Sequence, residues 1–136
     1  MDKNHKTTSH SVYNLNYHIV LVTKYRHDVI IGDVETFVEQ RVGEICVKYG
    51  WEQLALECMP DHLHLFVSAP PSVAPLGIAS TLKSILAVDV FRKFSKLKSQ
   101  KFWGSDLWSD GNYYGSAGSV SAEIIKRYIE DQKTAG

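Results

Sequence analysis

The sequence lacks the features that direct a chain to a membrane, to export or to a disulfide-stabilised fold. No stretch approaches the ~20 consecutive apolar residues that span a bilayer. The segment Met1 to His5 is not an apolar signal region. The only two cysteines, Cys46 and Cys58, form no Cys-x-x-Cys pattern. We therefore expect a cytoplasmic protein that does not engage a membrane and that buries two free thiols.

Internal repeats, low-complexity tracts and a nucleotide-binding loop are also absent. The chain has no Gly-x-x-x-x-Gly-Lys sequence, so its chemistry is expected to need no nucleotide as an energy source. With 136 residues and 44% hydrophobic content, the chain is long enough for one domain with its own core and short for two. We predict a single domain over residues 1–136, with a flexible N-terminus over residues 1–12.

Charge is balanced overall but unevenly distributed. The net charge is zero, yet residues 83–101 contain six basic side chains and one acid, a local net charge of +5. Such a segment is either a solvated lysine-rich helix end or a surface that binds phosphates. We predict contacts to a nucleic-acid backbone, with Tyr25, Tyr113 or Trp108 available for base stacking. Taken alone, each of these aromatics is more often a packing residue. The predicted nucleic-acid-binding residues are Lys83, Arg92, Lys93, Lys96, Tyr25 and Arg26.

Hydrophobic periodicity predicts seven elements in the order β-α-β-β-α-β-α. The expected segments are strand 14–23, helix 33–49, strand 52–58, strand 61–67, helix 76–94, strand 113–117 and helix 119–134. Asp33 is expected to cap the first helix, and Gly50 to end it. In the second strand, we expect Leu54, Leu56 and Cys58 to share one face. This order predicts an α+β, ferredoxin-like (split βαβ, RRM-like) antiparallel sheet with two packed helices and an additional C-terminal helix.

Two histidines lie two residues apart in the predicted strand Asp61-His62-Leu63-His64-Leu65-Phe66-Val67. Because strand side chains alternate between faces, both imidazoles are expected on one face, and Leu63, Leu65 and Val67 on the other. Neutral imidazoles are common ligands of divalent metals, although two partly buried structural histidines would show the same spacing. Asp61 is either an acceptor that orients one imidazole or a turn residue. His18 and His27 lack a partner at ligand spacing and are interpreted as ordinary histidines.

The predicted last helix contains Tyr128 and Gln132, which are four residues apart and share one face. Gln132 would be the third metal ligand beside His62 and His64, and Tyr128 a nucleophile. Two imidazoles and an amide oxygen leave coordination positions free, which favours Mg²⁺ or Mn²⁺ over a closed zinc site.

Four motifs together resemble the single-tyrosine HUH transposases, the small transposases of single-strand insertion sequences, with relatives among REP-associated tyrosine transposases. They are Tyr17-His18-Ile19-Val20 with Lys24-Tyr25-Arg26, the His-x-His strand, Leu107-Trp108 before a Gly- and Tyr-rich stretch, and Tyr128-Ile129-Glu130-Asp131-Gln132. The similarity covers about Tyr13 to Gln132. The stretch Gly111-Asn112-Tyr113-Tyr114 departs from the family pattern, which bears on local strand register.

The resemblance implies an enzyme that cleaves and rejoins single-stranded DNA through a 5′-phosphotyrosine, with Tyr128 as nucleophile. It further implies subterminal DNA hairpins as partners and a homodimer in which the Tyr128 helix of one subunit can meet the histidines of the other. Three alternatives stay open at this stage. They are a domesticated or replication-type single-strand nickase, a non-catalytic ferredoxin-like nucleic-acid-binding module, and a metal-binding regulator.

Overall fold

The structure is a computed structural model of the chain, and it describes residues 14–102, 104, 106–111 and, for the backbone, 113–116. The predicted flexible N-terminus, residues 1–12, lies outside the described residues. The predicted helix 119–134, with Tyr128 and Gln132, lies outside them as well.

Four antiparallel strands form the sheet, in the spatial order β2-β3-β1-β4. The strands are β1 (Leu15–Val22), β2 (Glu52–Met59), β3 (His62–Ala69) and β4 (Tyr113–Ser116). Helix α1 (Gly32–Tyr49) connects β1 to β2, and helix α2 (Pro75–Lys93) follows β3. This is the split βαβ arrangement, so the prediction of a ferredoxin-like α+β fold is confirmed. A third, short helix, α3 (Leu97–Lys101), was not predicted.

Helix α1 follows the predicted apolar periodicity and differs from the prediction at its start. Val38, Val42 and Ile45 are at most 1% exposed and face the core. Gly50 ends the helix with a φ of 75°, a left-handed conformation that glycine adopts without strain. The prediction of Asp33 as the N-cap is wrong, because Ile31 occupies the cap position and provides no side-chain hydrogen bond. Asp33 lies in the first turn instead, where a carboxylate favours the helix dipole.

Strand β2 contains an irregularity that the alternation of its residues did not predict. Its pairing with β3 shifts between Gln53 and Ala55, as in a β-bulge, so one extra residue is inserted on the β2 side. Leu56 and Cys58 pack on the main core, whereas Leu54 packs against Phe66 on the other face of the sheet. The prediction of one shared face for Leu54, Leu56 and Cys58 is therefore wrong, since the shift breaks the two-residue period.

The two faces of strand β3 differ: one packs in the main core, and the other carries His62 and His64. Leu63, Leu65 and Val67 are fully buried in the core between the sheet and helices α1 and α2, as predicted. Full burial of each such side chain contributes roughly 1.5–3 kcal/mol, so the strand is held firmly in register. Its alternate residues, His62 and His64, consequently project from the opposite face of the sheet.

Cys46 and Cys58 are both buried thiols, as predicted. Burial raises the pKa of the Cys46 thiol to about 11, so this thiol stays protonated at neutral pH. Among the described residues, we find no helix with the length and apolar character needed to cross a bilayer.

Candidate functional site

His62 is held at the start of β3 by the residue before it. Its Nδ1 lies 2.7 Å from Oδ1 of Asp61, and Nε of Arg26 donates to Oδ2 of the same carboxylate at 2.9 Å. A carboxylate at Nδ1 favours the tautomer that leaves Nε2 with its lone pair, which is the arrangement found around metal-binding histidines. Burial tends to raise the pKa of Asp61, but the hydrogen bonds and charges of His62 and Arg26 outweigh it and lower that pKa. Asp61 is therefore an anion at neutral pH.

The backbone around Asp61 is tied to the end of β1. The buried Thr23 donates its backbone N–H to the carbonyl oxygen of Asp61 at 2.9 Å, and its hydroxyl lies 3.1 Å from the same oxygen. Tyr25 and Arg26 follow with φ angles of 59° and 55°, both in the left-handed region. Such a conformation costs of order 1–3 kcal/mol for a residue other than glycine. The strained turn aims Arg26 at Asp61, and so supports the orientation of His62.

His64 contacts a histidine of the neighbouring strand. In the β1–β3 register, His64 pairs with Val20 and His18 with Phe66, so His18 lies diagonally across from His64 on the same face. Nε2 of His18 is 3.2 Å from Nδ1 of His64, and the ring centroids are 5.3 Å apart. The interpretation of His18 as an ordinary histidine without a partner is corrected by this contact. Strand alternation places His18 on a definite face, but only the register between the strands places it beside His64.

The three imidazoles of this face form a cluster. The ring centroids of His62 and His64 are 5.1 Å apart, and His64 is 6% exposed. Burial, together with the neighbouring His18 and His62, lowers the pKa of His64 to about 4. Burial also lowers the pKa of His18. Both rings are therefore neutral at pH 7, and the neutral imidazole is the form that binds metal ions.

His62 and His64 fit two of the positions of a divalent-metal site. His64 is neutral, His62 is oriented by the carboxylate of Asp61, and both rings lie on one face of the strand. Within the described part of the chain, no group of three His, Cys, Asp or Glu side chains is arranged to hold a metal ion. A complete site on these histidines thus requires a further ligand of another type or from another part of the chain. The predicted third ligand, Gln132, is an amide and lies outside the described residues.

The predicted phosphate-binding residues differ in their surroundings. The side chain of Arg92 is 76% exposed, and its Nη1 lies 3.8 Å from Oδ1 of Asp89. The exposed Lys93 places its ammonium group over the rings of Phe37 and Phe94, and Lys96 is exposed. All three lie at or just after the end of α2.

Lys83 lies in a different environment. Its ammonium group donates to the carbonyl oxygens of Ser109 and Gly111 at 3.0 and 2.9 Å. Burial lowers the pKa of Lys83, against an opposing effect of Asp110. The structure therefore places Lys83 as an anchor of the loop before β4.

Of the aromatic side chains considered for base stacking, Tyr25 is 59% exposed and available to an unpaired base. Trp108 is only 4% exposed and is not available to a base, which agrees with packing as the expected role of each aromatic taken alone. It lies in the core, and its backbone bridges to Thr23. The side chain of Tyr113 lies outside the described residues.

Comparison with known proteins identifies the family to which this chain belongs. Residues 11–132 match the family described as transposase IS200 like. The chain is 35% identical over 121 residues to the ISDra2 transposase TnpA of Deinococcus radiodurans, covering 89% of this chain and 86% of the relative. It is 28% identical over 131 residues to the IS200 transposase of Salmonella typhimurium, covering 94% of this chain and 86% of the relative.

Solved structures agree with this assignment. A 1.90 Å crystal structure of a Deinococcus radiodurans R1 protein assigned as a transposase superposes with a TM-score of 0.75 and 33% identity, covering 93% of this chain and 96% of the other. The structure of a REP-associated tyrosine transposase bound to a REP hairpin has a TM-score of 0.52 and 8% identity, covering 91% of this chain and 67% of the other, and shows the shared fold alone. The chain belongs to the IS200-like transposase family, which confirms the predicted resemblance and supports DNA transposase function.

Proposed function

We propose that this transposase cleaves and rejoins single-stranded DNA with Tyr128 as its nucleophile and with a metal ion held by His62, His64 and Gln132. The observation that carries the proposal is the oriented pair of histidines on β3. Asp61 holds His62 at 2.7 Å, and both imidazoles project from one face of a strand whose other face is fully buried. A rigid strand that presents two imidazoles on one face can hold metal ligands in a fixed geometry, as a catalytic site requires.

The proposed reaction exchanges one phosphodiester for another. The phenolate oxygen of Tyr128 attacks the phosphorus, the bond from phosphorus to the 3′-oxygen breaks, and the products are a 5′-phosphotyrosine and a strand with a free 3′-hydroxyl. A second 3′-hydroxyl then attacks the phosphotyrosine, which restores the tyrosine and joins the strands. The adduct conserves the phosphodiester bond energy, in keeping with a chain that has no nucleotide-binding loop.

Mg²⁺ or Mn²⁺ bound by these residues would polarise the scissile phosphate and stabilise the leaving 3′-oxygen. His62 and His64 would supply neutral nitrogen ligands, and Gln132 an amide oxygen. Asp61 would keep His62 in the correct tautomer, and Arg26 would keep Asp61 charged and oriented. A phenol has a pKa near ~10, so Tyr128 needs an activated target at neutral pH.

The proposed substrate is single-stranded DNA with hairpin ends. The REP-associated relative is bound to a REP hairpin, which supports a hairpin partner for this chain. Exposed Arg92, Lys93 and Lys96 would contact the phosphate backbone, while the exposed ring of Tyr25 would stack on an unpaired base. Such a substrate places the reaction in the bacterial cytoplasm, on the chromosome.

We further propose a homodimer. Among the described strands, β2 and β4 lie at the edges of the four-stranded sheet, and a sheet edge favours pairing with another chain. A dimer would also allow the Tyr128 helix of one subunit to serve the histidines of the other.

The proposal is tested with the full chain and with single-stranded oligonucleotides that copy the DNA flanking its gene and include any imperfect palindrome found there. The oligonucleotide carries its label at the 3′ end, because the fragment that joins the tyrosine lies on that side of the cut. We expect a labelled protein band that survives denaturation, requires Mg²⁺ or Mn²⁺ and is absent from Tyr128→Phe. Tyr49→Phe, which alters an exposed tyrosine at the end of α1, serves as the matched control and should form the adduct. An adduct in Tyr128→Phe, or full cleavage in excess chelator, contradicts the proposal.

A further inference from the structure

The two histidines of β3 are held by different partners. Nδ1 of His62 is in contact with a carboxylate, whereas Nδ1 of His64 is 3.2 Å from Nε2 of His18. In both histidines the contact is made at Nδ1 and not at Nε2. His18 therefore occupies, beside His64, the position that Asp61 occupies beside His62.

The backbone defines the position of His18. It lies in the middle of β1, which pairs with β3 on one side and with β4 on the other. Its pairing partners are Phe66 of β3 and Gly115 of β4. Because β1 is a central strand, the ladder bonds on both sides limit movement of His18 relative to His64.

The chemistry of imidazole makes this contact consequential. A neutral imidazole carries its proton on one ring nitrogen, and only the other nitrogen has a lone pair for a metal ion. An acceptor beside Nδ1 keeps the proton there and leaves Nε2 available. For Nε2 of His64 to keep its lone pair, Nδ1–H of His64 must donate to Nε2 of His18 across the 3.2 Å contact, and His18 must then carry its own proton on Nδ1.

We propose that His18 is a positioning residue that fixes the tautomer and ring orientation of His64 for metal binding. This inference rests on the proposed metal site and adds a residue to it. His18 is not itself a ligand, because its Nε2 is occupied as the acceptor for His64. Loss of such a partner typically weakens metal binding by about 10–100-fold.

The first test uses the metal-free wild-type protein and needs no substitution. Two-dimensional NMR that correlates ring nitrogens with ring protons reports which imidazole nitrogen carries the proton. We expect His64 to be protonated on Nδ1 and His18 to have an unprotonated Nε2. A His64 ring protonated on Nε2 overturns the proposal, whatever the behaviour of any variant.

The second test measures Mn²⁺ affinity by electron paramagnetic resonance in two variants of similar size. His18→Gln keeps an acceptor near the position of Nε2, whereas His18→Leu has none. We expect His18→Leu to bind Mn²⁺ at least ~10-fold more weakly than the wild type and His18→Gln to recover most of that loss. Asn16→Leu alters the same face of β1 two residues away, opposite Ser68, and should bind like the wild type. Wild-type affinity in His18→Leu, or equal losses in both His18 variants, overturns the proposal.

Electron spin-echo envelope modulation of the bound Mn²⁺ counts the imidazoles that coordinate it. This count shows whether His18 is a ligand or a positioning residue. We expect two imidazoles in the wild type and two in His18→Gln. Three imidazoles in the wild type and two in His18→Gln would make His18 a ligand and overturn its positioning role.

His62→Ala provides the test of the metal site itself, and wild-type Mn²⁺ affinity in that variant would overturn the metal site and this inference together. Weak binding in His62→Ala with normal binding in His18→Leu would overturn the role of His18 alone.

Discussion

Oδ1 of Asp61 lies 2.7 Å from Nδ1 of His62, so the residue just before β3 orients the first side chain of that strand. The contact joins neighbours in sequence across the boundary between a turn and a strand. It depends on the turn being held, since the carbonyl oxygen of Asp61 accepts from both the backbone N–H and the hydroxyl of Thr23. A local pair is thus positioned by a partner 38 residues away.

Replacing Asp61 should weaken metal binding without unfolding the protein. The Asp61→Ala variant loses the acceptor at Nδ1 of His62, and we expect Mn²⁺ to bind about 10–100-fold more weakly. Titration calorimetry with Mn²⁺ measures the effect. Asp106→Ala, which alters an exposed carboxylate before Leu107, is the control for the loss of one negative charge. Equal affinities in Asp61→Ala and Asp106→Ala would count against an orienting role.

The stability of the metal-free protein should fall as the pH is lowered from 6.5 towards 4. Burial and the neighbouring histidines lower the pKa of His64 to about 4, while the unfolded chain titrates near 6.5. In this window the unfolded state binds a proton that the folded state does not, so the free energy of unfolding decreases as the pH falls. At about 1.4 kcal/mol per pKa unit, His64 accounts for a loss of about 2–3 kcal/mol.

Urea unfolding monitored by tryptophan fluorescence between pH 4.5 and 7.5 measures this dependence. His64→Gln should show a smaller slope of stability against pH than the wild type. The lowered pKa of Asp61 acts below this window, because a carboxylate loses its charge only as the pH falls below its ordinary pKa of 3.8. Identical slopes in wild type and His64→Gln would contradict the assignment of the lowered pKa.

Removing Lys83 should destabilise the protein. Lys83→Met removes the donor for the carbonyl oxygens of Ser109 and Gly111, and a carbonyl left without its partner costs about 1–3 kcal/mol. Thermal unfolding followed by circular dichroism measures the change. Lys96→Met replaces an exposed lysine and should unfold close to the wild-type temperature. Equal melting temperatures for the two variants would show that Lys83 does not anchor the loop.

Lys96 should contribute to DNA binding through its charge. If its ammonium group contacts one phosphate, Lys96→Ala should reduce the salt slope of binding by about 0.7 where that phosphate is in a single strand and by about 0.9 where it is in the hairpin duplex. Fluorescence anisotropy of a labelled hairpin oligonucleotide at several salt concentrations gives that slope. Lys48→Ala, at the end of α1, removes an exposed positive charge outside the basic segment and should leave the slope unchanged. The prediction fails if both substitutions change the slope equally.

Two inactive variants should restore each other if active sites form between subunits. Tyr128→Phe lacks the proposed nucleophile and His62→Ala lacks a proposed ligand, but a mixed dimer contains one site with both groups intact. After subunit exchange, cleavage of the labelled oligonucleotide should recover towards the statistical fraction of mixed dimers. Exchange verified by mass spectrometry without any recovery would show that each site is built within one chain.

Much of the fold and part of the site follow from local patterns. The helical spacing of Val38, Val42 and Ile45 predicts α1, and the alternation around His62 and His64 predicts β3 with both imidazoles on one face. These periods arise from backbone geometry, which is the same in every helix and strand. Within the described residues, the element order predicted from them matches the structure, apart from the 3-10 turn Lys24–Arg26 and the short helix α3.

Only the tertiary structure decided which side chains meet across elements. The shift between Gln53 and Ala55 moves Leu54 to the other face, and the β1–β3 register brings His18 to His64. Burial of Trp108 and the hydrogen bonds of Lys83 likewise depend on packing between α2, the sheet and the loop before β4. The sequence by itself determined the periods of the helices and strands and the face of the two β3 histidines, because these depend on neighbouring residues. Strand register and the partners of polar groups depend on the whole core, which no local pattern contains.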